Sequence, residues 1–187
     1  MGWKLAGIAI DKNYSDNHQK LFDILGIKNP QLKNQTDFED GTSDFSEDGN
    51  ITIGFFGNGT FISSDFTLMT NDKVLTSASL NKKICAFYIY ETTGTYCLDY
   101  FENGKYLRKK WYSDSDKGIE TADNFGDELE VEKTETHPME IALNLIGEII
   151  QKRFYDIDEQ EQMFHYEITY GQPVPEETGF FKKLFGK

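Results

Sequence analysis

The chain has 187 residues, which is enough for one domain built around a single core. It carries 19 basic and 32 acidic residues, giving a formal net charge of −13 at pH 7. Proteins that bind nucleic acids neutralise phosphates with basic side chains, so this balance argues against a nucleic-acid-binding surface and permits a basic partner.

The amino-terminal residues and the cysteines bear on the cellular compartment. The apolar run at residues 5–10 is shorter than the hydrophobic region of a signal peptide, and Asp11 ends it. No stretch has the length of a membrane span. Cys85 and Cys97 have no second cysteine nearby, and we expect two reduced thiols. The sequence therefore predicts a cytoplasmic protein without stable membrane association.

The first part of the chain predicts a strand, a helix and a looser region. Residues 3–10 have the character of a buried strand, in which Gly7 allows another backbone to approach closely. A short helix is predicted at residues 16–25, capped by Ser15 and closed by Gly26. Asn29-Pro30 begins a looser region that extends to residue 50.

An acidic stretch, residues 37–48, lies within this looser region. It contains no basic residue and six acidic ones: Asp37, Glu39, Asp40, Asp44, Glu47 and Asp48. One interpretation is a solvated loop, and the other is an acidic surface that docks a protein partner.

Glycine-containing turns predict the β-structure in the middle of the chain. Residues 51–56 and 60–66 flank Gly57-Asn58-Gly59 and form a hairpin or bulged turn. The segment 68–80 fits a strand or a short helix. Later, residues 114–118 form a turn, and residues 128–132 alternate like an exposed edge strand.

A β-meander is predicted at residues 84–112, with its last hairpin closed by Asn103-Gly104. Both residues of a type I′ turn need positive φ, which asparagine and glycine tolerate. Opposite charges and aromatic pairs then face each other across the hairpin. The expected pairs are Glu102 with Lys105, Asp99 with Arg108, Tyr100 with Leu107, and Tyr96 with Trp111.

The clearest helix begins at His137-Pro138, where proline suits the first helical turn. Its apolar stripe consists of Ala142, Leu145, Ile146 and Ile149. We therefore expect a helix at residues 138–153 that packs on one face of the sheet. A final strand at residues 163–170 rejoins the sheet.

The last residues are predicted to leave the domain. Residues 171–178 form a linker, and residues 179–187 form a short amphipathic tail whose apolar side chains are Phe180, Phe181, Leu184 and Phe185. Two turns are too short for a stable isolated helix. The tail therefore packs on its own domain, binds a partner groove, touches a membrane or stays disordered.

No motif specifies a chemistry. The three histidines show no metal-ligand spacing, and the glycines at residues 54–59 match neither a P-loop nor a dinucleotide fingerprint. We therefore predict no cofactor, no metal and no catalytic set. An enzyme, if present, would use Asp65 with His137 or His165.

The order of segments resembles an uncharacterised bacterial family that opens with Met-Gly-x-Lys, as residues 1–4 do here. The strand pair at residues 51–65, the turn Asn103-Gly104-Lys105 and the His-Pro helix start are similar to that family's pattern. The likeness covers roughly residues 1–170, except that residues 123–135 are acidic where the family has a glycine-rich aromatic loop. The resemblance implies the order of elements and no activity.

The sequence thus predicts an α+β fold in a single domain, residues 1–170. Its core is a mostly antiparallel sheet of six to eight strands with one main helix on one face. The favoured function is a non-enzymatic protein-binding module. Its concrete form is a cytosolic immunity-type protein that neutralises a basic toxin domain, as the net charge of −13 and the acidic stretch suggest. The alternative is a small-ligand-binding protein or enzyme with a pocket between sheet and helix, lined by Tyr88, Tyr90, Tyr100 and Trp111. A further alternative is a structural role within a larger assembly, with the 179–187 tail as its contact.

Overall fold

The computed structural model describes residues 4–43, 46–115 and 118–171. Within these ranges nine strands form one sheet in which every neighbouring pair is antiparallel. The strands are β1 Lys4–Ile10, β2 Ile27–Asp37, β3 Asn50–Phe56, β4 Gly59–Ser64, β5 Lys83–Tyr90, β6 Thr95–Glu102, β7 Lys105–Ser115, β8 Gly118–Phe125 and β9 Gln162–Tyr170. Their order is β2-β9-β3-β4-β1-β5-β6-β7-β8, so the first strand lies at the centre of the sheet.

Six α-helices accompany the sheet in the described ranges. They are α1 His18–Ile24, α2 Phe38–Gly41, α3 Phe66–Met69, α4 Asp72–Ala78, α5 Glu130–Thr134 and α6 Pro138–Ile150. The cap of α1 is Asn17 and not Ser15, because the Asn17 side chain accepts the Lys20 amide at 2.9 Å. Helix α6 has its proline in the first turn, as predicted, and ends before Gln151, which is left-handed with φ of 58°.

The central strands of the sheet are buried on both faces. Alternate residues of β1 enter two different apolar clusters, with Ile8 in one and Leu5 in the other. The first cluster includes buried residues of α1, α3 and α4, and the second includes buried residues of α6. A Cβ on Gly7 would lie 1.9 Å from the carbonyl oxygen of Ile62 on β4, which confirms the close approach predicted at this glycine.

The predicted number of strands is wrong, because nine are present instead of six to eight. The missed edge strand β2 lies in the region predicted to be loose. It contains Pro30, pairs with β9 through two register shifts and is mostly exposed, so it lacks a regular alternation of apolar residues. The other edge strand, β8, is exposed along nearly its whole length.

The edge strand predicted at residues 128–132 is also wrong, because residues 130–134 form helix α5. The Leu129 amide donates to the Glu132 carboxylate at 2.9 Å, which closes the first turn of this helix. The segment 68–80, which fitted a strand or a short helix, is helical: it contains the end of α3 and all of α4.

The Asn103-Gly104 turn is confirmed, with φ of 52° and 74°, but the register beyond it is displaced by one residue. Glu102 faces Lys105 as predicted. A bulge then leaves Leu107 without a partner on β6, so that Tyr100 pairs with Arg108. The other displaced pairs are Asp99 with Lys109, Cys97 with Trp111 and Tyr96 with Tyr112. Directly opposed residues share a face of the sheet, so the bulge places Lys109 beside Asp99 and Arg108 on the opposite face.

Candidate functional site

Five of the six acidic residues predicted to bind a partner lie in the described part of the chain: Asp37, Glu39, Asp40, Glu47 and Asp48. Asp44 lies outside the described residues. So do Phe180, Phe181, Leu184 and Phe185, together with all of the predicted linker after Gly171.

Helix α2 fixes the position of the first acidic residues. Asp37 ends β2 and caps α2, since its Oδ1 accepts the Asp40 amide at 2.9 Å. Phe38 is buried against the rings of Phe56 and Phe154, with centroids 5.5 Å away in each case. Glu39, on the outer side of this short helix, is exposed. The acidic stretch therefore begins with an ordered, anchored turn.

A second acidic segment lies against α2. The Glu39 amide donates to the carbonyl oxygen of Glu159 at 3.2 Å, and the strand pair β2–β9 places Asp37 opposite Gln162. Asp158 and Glu159 are both exposed beside α2 as a result. In the sequence, nothing relates residues 158 and 159 to the acidic stretch at residues 37–48. The pairing of two strands far apart in the chain is the signal that sequence reasoning lacked.

Six acidic residues around α2 constitute what we call the α2 acidic surface: Asp37, Glu39, Asp40, Glu47, Asp158 and Glu159. Within the described ranges, the ion pairs leave all six without a cationic partner. Glu161 differs because it pairs with Lys152. The surface is therefore a local excess of negative charge.

Asp48 does not belong to this surface. It lies near Asp65, and the repulsion between the two carboxylates adds to burial in raising the pKa of Asp65. Asp65 caps α3, accepts the Gly49 amide at 3.1 Å and accepts the Tyr170 hydroxyl at 2.8 Å. These contacts explain why Asp65 is tolerated at 2% exposure.

Two adjoining depressions open on the α2 acidic surface. The first, of about 320 Å³, lies between α2, β3 and β9 and is lined by carboxylates, hydroxyls, an amide and one imidazole. The second, of about 470 Å³, is bordered by the amides of Gln35, Gln160 and Gln162. The two share Asn34, Thr36 and Asp40. Among their described lining residues there is no lysine or arginine.

The floor of the first depression is a pair of polar residues on β3 and β9. Thr52 faces His165 across the two strands, and its Oγ1 lies 3.1 Å from the Nδ1 of His165. Thr52 is only 5% exposed, so this hydrogen bond satisfies a buried hydroxyl. Helix α2 approaches the floor closely, because a Cβ on Gly41 would lie 2.9 Å from the Met163 sulfur.

The residues suspected of catalysis are not joined in the structure. Asp65 is bonded as described above, His165 is bonded to Thr52, and the ring of His137 packs on Tyr96 with centroids 5.9 Å apart. In the described ranges no hydrogen bond or ion pair links these three residues. They therefore do not form a nucleophile–base arrangement.

The aromatic pocket predicted between sheet and helix is also wrong. Tyr88 and Trp111 belong to the apolar cluster on the α4 side of the sheet, and Tyr90 packs against that cluster. Tyr100 belongs to the cluster on the α6 side. The sheet separates these side chains, so the four do not line a common cavity.

Two further polar groups are buried in the sheet. Asp99 is 4% exposed and accepts a hydrogen bond from the Tyr106 hydroxyl at 2.7 Å. Burial raises the pKa of Asp99 to about 7. Arg108 is buried on the other face and is bonded to Glu132. The sequence paired Asp99 with Arg108, and the bulge at Leu107 separates them.

Over the described ranges, His, Cys, Asp and Glu side chains form no group of three or more that is positioned to hold a metal ion. Cys85 and Cys97 are free and buried. None of the helices described is both long and apolar enough to cross a membrane.

No protein-family model matches the chain, and neither a curated protein nor a solved structure matches it significantly. The resemblance to a bacterial family stays a resemblance in segment order. The functional argument therefore rests on the α2 acidic surface itself.

Proposed function

We propose that the protein is a non-enzymatic binding module that engages a basic protein partner through the α2 acidic surface. Its concrete form is a cytosolic immunity-type protein that neutralises a basic toxin domain. The observation that carries this proposal is the junction of two distant acidic segments at α2, where the six carboxylates of the α2 acidic surface have no cationic partner among the described residues.

Charge of this kind acts mainly on association. Each exposed carboxylate contributes little to affinity alone, about 0–1 kcal/mol per pair. A patch of one sign accelerates the encounter with an oppositely charged partner and disfavours acidic ones. The Asp37 cap and the backbone hydrogen bond between Glu39 and Glu159 hold the patch in place before binding. Little conformational entropy is therefore lost when a partner associates.

The test is recovery of a partner with two charge-matched variants. One carries Glu39→Gln, Asp40→Asn, Asp158→Asn and Glu159→Gln in the α2 acidic surface. The control carries Asp16→Asn, Glu120→Gln, Asp127→Asn and Glu148→Gln, four exposed residues elsewhere. Each protein is purified from its own cells at low salt, and the native complex is weighed.

We expect a stoichiometric basic partner with the wild type and the control, and its loss with the first variant. The association rate should fall by about tenfold or more in that variant and should fall with salt in the wild type. A partner retained equally by both variants would contradict the proposal, and so would an unbound monomer in every preparation.

The alternative is a small-ligand-binding protein or enzyme. The cavity that supports it is the depression between α2, β3 and β9, and not the predicted aromatic pocket. The depression over Thr52 and His165 has convergent polar groups, which are typical of ligand sites. It would replace the protein-binding proposal if a small metabolite saturated this depression and its binding were unchanged by substitution of Glu39, Asp158 and Glu159, which do not line it.

A further inference from the structure

We infer that the depression between α2, β3 and β9 receives an arginine side chain of the basic partner. This inference rests on the proposed function and deepens it, because it names the group by which the partner is anchored. The inference does not follow from negative charge alone. It follows from the shape of the depression and from its neutral polar lining residues.

The first step is size. A volume of about 320 Å³ is at the low end of the range for small-molecule pockets, about 300–1,000 Å³. The depression is therefore too small for a segment of folded chain and suits one long side chain. It is also open toward the α2 acidic surface, on which the rest of a basic partner would lie.

The second step is the balance of donors and acceptors. A guanidinium offers five N–H donors in a planar fork and accepts nothing. The depression supplies the carboxylates of Asp40 and Glu47 and the hydroxyl oxygens of Thr36, Ser43 and Ser46. The carboxylates are exposed at the rim, and in the described chain neither makes a side-chain hydrogen bond or ion pair. Acceptors therefore exceed the donors available within the site.

The third step is selectivity for arginine over lysine. A lysine ammonium is a compact, strongly hydrated charge with three donors, and an acidic rim alone would hold it equally well. The imidazole of His165, held by Thr52, also lines the depression. A guanidinium reaches several of the acceptors around it at once with its planar fork, which an ammonium does not do.

The fourth step is preorganisation. Gly41 brings α2 close to the floor, and the Asp37 cap fixes the helix that carries Asp40. The floor residues belong to paired strands in the middle of one half of the sheet. An incoming side chain therefore finds the site formed, which limits the entropy lost on binding.

The test uses the full chain and three neutral-capped amino acids as probes: Nα-acetyl-arginine methylamide and the corresponding lysine and citrulline derivatives. Citrulline has nearly the shape of arginine and lacks its charge. Amide NMR shifts are followed as each probe is added, and Thr52→Val serves as a variant that keeps every charge. Its thermal midpoint is measured to verify folding.

We expect the arginine probe to cause saturable shifts confined to residues around Gly41, Thr52 and His165, with a dissociation constant on the order of 1–10 mM. Binding of the lysine probe should be at least about threefold weaker, and the citrulline probe should cause no saturable shift. Thr52→Val should weaken arginine binding, and Glu148→Gln should not.

Equal binding of the lysine and arginine probes would overturn the inference, and so would shifts spread over all exposed acidic residues or the absence of shifts at tens of millimolar probe. These outcomes are independent of partner recovery. Saturable arginine binding without any recovered partner would refute the proposed function and leave the site in place. A partner recovered equally well by wild type and Thr52→Val would refute the anchoring role.

Discussion

Arg108 donates two hydrogen bonds to the carboxylate of Glu132, from Nε to Oε2 at 2.8 Å and from Nη2 to Oε1 at 2.6 Å. Both side chains are about 1% exposed. Arg108 also donates to the carbonyl oxygens of Phe125 and Gly126, at 3.0 and 2.9 Å. One buried guanidinium thus joins β7, the end of β8 and α5. Burial acts against ionisation of Glu132, but the hydrogen bonds from Arg108 and the Leu129 amide, together with the charges of Arg108 and Lys110, outweigh it and keep the pKa of Glu132 low.

Glu132→Ala should lower the free energy of unfolding by about 3–5 kcal/mol, because it leaves a buried charge without a partner. Urea unfolding at pH 7 measures this. Glu130→Ala, an exposed neighbour on the same helix, is the control and should change stability by less than about 1 kcal/mol. Equal effects of the two substitutions would show that the buried pair has no special role.

Asp99 should make stability depend on pH. Its pKa is raised by burial to about 7 in the folded protein, above the unfolded value of about 3.9. The folded state therefore keeps a proton between these values, and the stability that Asp99 contributes is complete below about pH 4 and lost as the pH rises through about 7.

The variant Asp99→Asn should remove that dependence, since its side-chain oxygen still accepts from Tyr106. We expect the stability advantage of the variant over wild type to grow by about 2–3 kcal/mol between pH 5 and pH 8. Unfolding curves at the two pH values measure this, with Asp127→Asn as an exposed control. Parallel pH profiles of wild type and Asp99→Asn would refute the assignment.

Gly41→Ala should displace α2 from the sheet. The new Cβ would lie 2.9 Å from the Met163 sulfur and 3.1 Å from a methyl group of Thr52, so these neighbours have to move. We expect a loss of about 1–3 kcal/mol in unfolding free energy and weaker binding of the arginine probe. Ser43→Ala, just after the helix, should leave stability nearly unchanged. Full stability with unchanged probe binding in Gly41→Ala would contradict this geometry.

Tyr170→Phe should destabilise the protein through Asp65. The phenol hydroxyl donates to this buried carboxylate at 2.8 Å, and its removal leaves Asp65 with only backbone donors. We expect a loss of about 1–3 kcal/mol in urea unfolding. Tyr155 makes a similar bond to Glu140 at 2.7 Å but is 53% exposed, so Tyr155→Phe is a matched control that should cost less than about 0.5 kcal/mol.

Local signals in the sequence predicted the elements whose formation depends on few residues. The Asn103-Gly104 turn and the start of α6 at Pro138 are examples, because each follows from the backbone preference of one or two residues. The bulge at Leu107 has no such signal. Either register faces Asp99 with a basic residue, so charge pairing did not distinguish them.

Only one of the two segments of the α2 acidic surface could be predicted from the sequence, because only that segment depends on local composition. Composition identified residues 37–48 as acidic, and the structure anchors their first turn through Asp37 and Phe38. The contribution of Asp158 and Glu159 depends on the pairing of β2 with β9, two strands that are distant in sequence. Strand β2 was not predicted, because Pro30 and the register shifts interrupt its pattern. The sequence showed the acidic residues, but it did not show that the fold brings both acidic segments together at α2.

The position of β9 between β2 and β3 has a consequence for the order of biosynthesis. A growing chain that has not yet exposed residues 162–170 lacks the strand that joins β2 to the rest of the sheet. Until then α2 has no Glu159 carbonyl beside it, and Thr52 has no His165. The α2 acidic surface is therefore complete only on a chain that has been translated through β9, its last described strand.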